Sequence, residues 1–196
     1  MQTIFQIARS EFGSRLKTPE LTDEIRRSVI RARQLLNEGG LHWGQSRWVG
    51  VRGPAYDPSA PEEYNEYSDF KIEITDWPVR HDPENGMLYQ DKYAIEEMCV
   101  MGGFERAAWE AMGKPDMSQD RNVLMQSRLV LNCAVWISQF IEIHEDDVES
   151  YRETIRRDRK GVGATKKAVE NAVMHWNDEG ERTWEDIDDV LKRAVA

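Results

Sequence analysis

Apolar residues first fall into a regular pattern at Leu21, Ile25, Val29, Ala32 and Leu36, the spacing of one face of a helix. Thr18 suits the capping position, Pro19 the first helical position and Glu20 the positive end. Gly39-Gly40 predicts the stop, because glycine adopts the left-handed conformation after a helix cheaply. Arg26, Arg27, Arg31 and Arg33 balance Glu20, Asp23, Glu24 and Glu38, which reads as a solvated outer face.

The period then changes. Residues 46–52 read as a short strand weakened by Gly50, and Phe70, Ile72 and Ile74 alternate with Lys71, Glu73 and Thr75 as in a half-buried strand. Residues 53–67, with three prolines, and residues 78–86 read as loops, so 46–92 is predicted to be a strand and loop embellishment. From residue 93 the pattern is helical again, with helices predicted over 93–112, 120–141, 145–159, 165–176 and 183–195. Ten of the thirteen residues in 129–141 are apolar, which predicts a central buried helix with Cys133, Trp136, Ile137 and Phe140 in the core. The expected fold is α+β and predominantly helical: about five to six helices with a small antiparallel sheet, in a single domain over 1–196.

Composition narrows the class. The chain has 196 residues, enough to bury roughly 70% of its extended surface without disulfide or metal support. Its 36 acidic and 26 basic residues leave a net charge of −10, which disfavours direct nucleic-acid binding, since that affinity comes mainly from neutralising phosphates. Cys99 and Cys133 cannot form a disulfide framework and fit a reducing cytoplasm. The opening stretch MQTIFQIARSEF lacks the apolar core of a signal peptide, and no run approaches the length of a membrane span. The charge is unevenly placed. Residues 55–97 hold twelve acidic and three basic groups, whereas 152–167 hold seven basic and two acidic ones.

Candidate chemistry is sparse. His42, His81, His144 and His175 are scattered, without HExxH, CxxC or a calcium loop, so no metal or other cofactor is expected. His144-Glu145-Asp146-Asp147 is rich in potential ligands, but acidic residues at a helix start are favoured by the dipole alone. There is no GxSxG elbow, and Cys133 lies in the most apolar helix, where thiols are inert; Cys99 beside Gly102-Gly103 is the better nucleophile candidate, with His42 or His175 as base. The one phosphate-like feature joins Arg156, Arg157, Arg159, Lys160, Gly161, Gly163, Thr165, Lys166 and Lys167. Two glycines before a helix can expose N–H groups between flanking cations, although the Walker spacing is missing. The plainer reading is a solvent-facing turn between two helices.

Three stretches also resemble a domain family of unknown function found in actinobacteria and their bacteriophages. They are Ala32-Arg33-Gln34-Leu35-Leu36 with Gly39-Gly40, Trp43, Gly44 and Gln45; Cys99-Val100-Met101-Gly102-Gly103 with Ala107-Ala108; and Trp176-Asn177-Asp178 with Arg182-Thr183 and a closing helix. The resemblance covers both ends of the chain and lapses between residues 50 and 93. That family has no established activity, so the resemblance implies an origin and a fold only. These residues also have a structural reading: Trp43 packing back onto the preceding helix, Cys99 and Gly102 allowing close approach, Asn177 ending a helix in a left-handed conformation, and Thr183 capping the next with Asp186. The functional alternative gathers Trp43, Gln45, Asn177, Asp178 and Arg182 at the rim of a pocket for a small planar ligand.

Three functions follow as expectations. The first is a non-enzymatic phage-type accessory protein that binds a host macromolecule, a protein with a basic surface, for host modulation or counter-defence. Tyr56, Glu62, Glu63, Tyr64, Glu66 and Tyr67 are its contact candidates, tyrosines among carboxylates in a long loop. The second is a binder of a nucleotide or phosphate ligand at 156–167. The third is a hydrolase or transferase acting on a phosphate ester, for which no catalytic residues can be named.

Overall fold

The computed structural model describes residues 1–37, 42–43, 49–52, 71–73, 94–113, 120–157, 164–180 and 182–196. The fold is predominantly helical, as expected, with seven α-helices among the described residues: α1 (Ile4–Phe12), α2 (Asp23–Leu35), α3 (Val100–Ala111), α4 (Asp120–Ile137), α5 (Val148–Arg157), α6 (Ala164–Asp178) and α7 (Trp184–Arg193). The strands are β1 (Gln2–Thr3), β2 (His42–Trp43), β3 (Val49–Arg52), β4 (Lys71–Glu73), β5 (Ala94–Met98) and β6 (Glu142–Ile143). β1 pairs antiparallel with β6, and the other four form a sheet in the order β2-β5-β3-β4. β3 is antiparallel to both its neighbours, while β2 runs parallel to β5 through His42↔Glu97 and Trp43↔Met98. Of the 46–92 embellishment, β3 and β4 fall among the described residues.

Helix α1 is an element that the sequence reading passed over. Its signal is a capping box: Thr3 Oγ1 accepts from Gln6 N–H, and Gln6 Oε1 accepts from Thr3 N–H at 2.8 Å. Ile4, Phe5, Ile7, Ala8 and Phe12 then form its buried face. The start of α1 also explains where α4 ends. Ile4 N–H donates to Ile141 O and Phe5 N–H to Ser138 O, each at 3.1 Å. Unpaired donors at one helix start thus meet carbonyls just beyond another helix end. Hence α4 stops at Ile137, short of the predicted 141, and the chain passes through a turn into β6.

Other boundaries shift for equally local reasons. Helix α2 begins at Asp23, not after Thr18, because Thr22 Oγ1 is the group that accepts from Ile25 N–H, at 3.3 Å. Residues 94–98, expected as helix, are strand β5, and α3 starts only after Cys99. The predicted helix start at 145 is a 3-10 turn over Glu145–Asp147 that leads into α5. The Thr183–Asp186 capping box of α7 forms as read, with Asp186 Oδ2 accepting from Thr183 N–H at 2.8 Å. The Gly39-Gly40 stop lies outside the described residues.

The buried apolar side chains form one cluster drawn from all seven helices. Cys133 and Ile137 lie fully inside it, whereas Trp136 and Phe140 are only half-buried against its edge. Trp136 reaches past the core, its indole N–H donating to Ala194 O at 2.7 Å. The second half of α4 is thus central, as predicted, while its first half exposes Val123, Leu124 and Met125 and turns the buried Gln126 to α3, where its amide donates to Glu105 O at 2.9 Å. Gly103 sets the approach of α2 to α3: a Cβ there would come within 3.3 Å of Leu36 Cγ and Cδ1.

The arginines of α2 are not a merely solvated face. Arg31 bonds Glu110 at 2.6 Å, Arg33 is 2.5 Å from Asp188 and Arg26 donates to Val195 O at 2.8 Å, so they join α2 to α3, α7 and the C-terminal residues. Partial burial raises the Glu110 carboxyl, but hydrogen bonds from Arg31 and Arg106 outweigh it and hold the group below its ordinary value. A carboxyl depressed in the folded state adds stability above its unfolded value of about 4.3, and that stability is lost as pH falls through the lower folded value. The urea midpoint of the wild type should therefore exceed that of Glu110→Gln at neutral pH, and the gap should close on acidification through this window. A gap unchanged by pH would show that the pair contributes no proton-linked stability.

Candidate functional site

Trp43, Asn177, Asp178 and Arg182 lie towards one end of α6, and Thr165, Lys166 and Lys167 at the other. At its C-terminal end the organising group is Asn177, only 1% exposed. Its Oδ1 accepts from Trp43 Nε1–H at 2.8 Å and from Val100 N–H at 3.2 Å, and its Nδ2 donates to Asp178 Oδ1 at 2.8 Å. One amide thus ties β2, the start of α3 and α6 together. Trp43, expected to fold back onto α2, sends its ring N–H across to α6. Nor does Asn177 end the helix: α6 continues through Asp178, and Gly180 takes the positive φ, at +63°. The Arg182 guanidinium lies 4.8 Å from the centre of the Trp176 ring while its Nε donates to Trp176 O at 3.2 Å.

Of the residues in the pocket-rim reading, Trp43, Asn177 and Asp178 are joined by hydrogen bonds, Arg182 bonds Trp176 O instead, and Gln45 lies outside the described residues. The bonds among these groups and to the backbone are the arrangement of a packed joint. Beside them the fully buried Tyr151 donates its hydroxyl to the Glu179 carboxylate, with the His175 ring centre 4.9 Å away. Burial, and then the neighbouring carboxylate, push the Tyr151 phenol far above its ordinary value, so it stays a hydrogen-bond donor.

The N-terminal end of α6 borders a groove of about 510 Å³ between residues 15–25, α4 and α6. Thr165 and Lys166 line it, and Lys166 Nζ donates to Asn132 Oδ1 at 2.6 Å. The rest of the basic strip is divided. Lys167 pairs with the buried Glu170, whose carboxyl is raised by burial despite that lysine. Arg156 is held by Glu11 at 3.0 Å and Glu149 at 3.1 Å, which clamps α5 to α1. Arg157 is exposed at the end of α5, and Arg159, Lys160, Gly161 and Gly163 lie outside the described residues. The groove also contains Arg15 and Lys17, which the sequence reading did not single out. The signal was present as two cations flanking the buried Leu16, but nothing in the chain indicates that residue 17 faces residue 166.

Neither thiol is poised to attack. Cys99 sits at the N-cap of α3, its Sγ accepting from Gly102 N–H at 3.5 Å, and burial pushes its pKa up to about 12 despite that bond. Burial likewise pushes Cys133 up to about 12. His144 caps the short turn at Glu145–Asp147, Nδ1 accepting from Asp146 N–H at 3.5 Å. Among the described residues no group of three or more His, Cys, Asp and Glu side chains is placed to hold a metal ion. No described helix is long and apolar enough to cross a membrane. Tyr56, Glu62, Glu63, Tyr64, Glu66 and Tyr67 lie outside the described residues. Set against protein-family models, curated proteins and solved structures, the chain matches none of them.

Proposed function

We propose that this chain is a non-enzymatic phage-type accessory protein that works by binding a host protein with a basic surface. The observation that carries this reading is the first half of α4, where Val123, Leu124 and Met125 are 42%, 59% and 47% exposed. Large apolar side chains exposed singly are ordinary, but three within one helical turn, fanned about 100° apart, give this stretch apolar anchors over much of its circumference. The acidic excess of residues 55–97 gives the partner its sign, since opposite charge accelerates encounter and excludes wrong partners. The raised thiols, the bond between Asn177 and Asp178 and the Arg182 contact to Trp176 O leave these residues better suited to holding the fold than to turnover.

The test compares the wild type with two variants, Leu124→Asp/Met125→Asp and Glu62→Lys/Glu63→Lys/Glu66→Lys, first on host lysate by quantitative mass spectrometry. The affinity of each for the purified captured protein is then measured over a range of salt. The reading expects one basic protein to be retained by the wild type and its affinity to fall roughly tenfold or more in each variant. The charge-reversed variant should also lose most of its salt sensitivity. Equal affinity of all three proteins would overturn it. So would turnover of a phosphate ester by the purified chain that one fold-neutral substitution abolishes.

A further inference from the structure

We propose that the groove between residues 15–25, α4 and α6 binds a small organic phosphate, a phosphate monoester with an apolar or planar body. Its base is packed core, with Leu16, Ile25 and Val135 all at most 5% exposed, and the apolar surface open to a guest comes from the half-buried Pro19 and the aliphatic stems of the lining side chains. Its rim is cationic, with Arg15, Lys17 and Lys166 against a single carboxylate, Glu20. That excess of positive charge belongs to a chain whose net charge is −10, so the groove opposes the overall field. At about 510 Å³ it lies within the range of small-molecule sites.

The two parts of the lining select the ligand together. Lys166 gives one N–H to Asn132 and keeps the remaining donors of its ammonium for a guest, while Asn132 holds the lysine in place. Lys17 is exposed at the mouth, and a lysine there attracts phosphate as a compact point charge. Inorganic phosphate would satisfy these cations and leave Pro19 and the aliphatic stems of the rim wet. A nucleoside without phosphate would cover that apolar surface and leave the cations uncompensated. A phosphate ester does both, whether the ester is a free nucleotide or a lipid headgroup with a short chain.

Titration calorimetry on the full chain tests this with four probes: a nucleoside 5′-monophosphate, the parent nucleoside, a short-chain alkyl phosphate and inorganic phosphate. At least one organic phosphate should bind roughly tenfold or more tightly than both inorganic phosphate and the nucleoside, and which of the two it is identifies the source. Lys17→Glu and Lys166→Glu should each weaken that probe by about tenfold. Lys17→Glu changes an exposed side chain, so an unchanged melting temperature separates lost binding from lost fold even if Lys166→Glu disturbs the Asn132 contact. Millimolar probe without heat of binding would overturn the assignment, as would equal affinity for inorganic phosphate or unchanged affinity in both variants. The outcome is independent of the protein partner proposed above, whose contacts lie on α4 and in the acidic segment.

Discussion

Phe104→Ala is expected to destabilise the protein by about 3–5 kcal/mol, read as a shift of the urea midpoint with little change in slope. Phe104 is fully buried on α3, one residue after the Gly103 that lets α2 pack close. Truncation therefore removes the transfer energy of the ring and leaves a cavity in the core. Because α3 carries the Val100 N–H that Asn177 accepts, the loss should reach the joint at the end of α6 as well. A loss below about 1 kcal/mol would mean that the core around α3 closes over the gap and is far softer than its burial implies.

Asn177→Ala should cost about 2–4 kcal/mol for a different reason. No large volume is lost; two donors are left without an acceptor. Trp43 Nε1–H and Val100 N–H both point at Asn177 Oδ1, and a buried unsatisfied donor costs about 1–3 kcal/mol. Val100 N–H is one of the first N–H groups of α3, so the side chain acts as a cap supplied from another helix. Trp43→Phe removes only one of the two donors and should cost about 1 kcal/mol on its own. In the Asn177→Ala background it should cost less, since its partner is already gone, and a double-mutant cycle reads that coupling directly. Strict additivity of the two substitutions would show that the Trp43–Asn177 bond contributes nothing to stability.

The two ends of α6 show why its chemistry was only partly legible. Trp43, Asn177 and Arg182 stand out as polar or aromatic residues in a distinctive order, so they were recognised as a set. Whether such a set is a pocket rim or a packed joint depends on where the hydrogen bonds go. At the other end, Thr165 and Lys166 belong to the basic strip, but Arg15, Lys17 and Asn132 come from distant chain segments, Asn132 lying 34 residues before Lys166. No periodicity links them. Conversely, Arg156 and Lys167 looked equivalent to Lys166 along the chain, and only the carboxylates of Glu11, Glu149 and Glu170 take them out of the groove.

What the amino-acid sequence by itself determined is whatever rests on neighbours a few residues apart. It specifies helices wherever apolar residues repeat at helical spacing, the capping boxes at Thr3 and Thr183, the buried second half of α4, and the uneven distribution of charge. These are decided by i to i+3 and i to i+4 contacts and by solvation, both of which are written along the chain. The tertiary structure decided the rest. Residues 94–98 became strand because β3 offered them a ladder, and α4 stopped at Ile137 because the start of α1 lay across its end. Likewise, Lys17 and Lys166 became one cationic rim because α2, α4 and α6 pack around a common core. A donor's partner, and a charge's company, are set by whichever surface packing brings within about 3–4 Å, and that distance is a property of the folded chain.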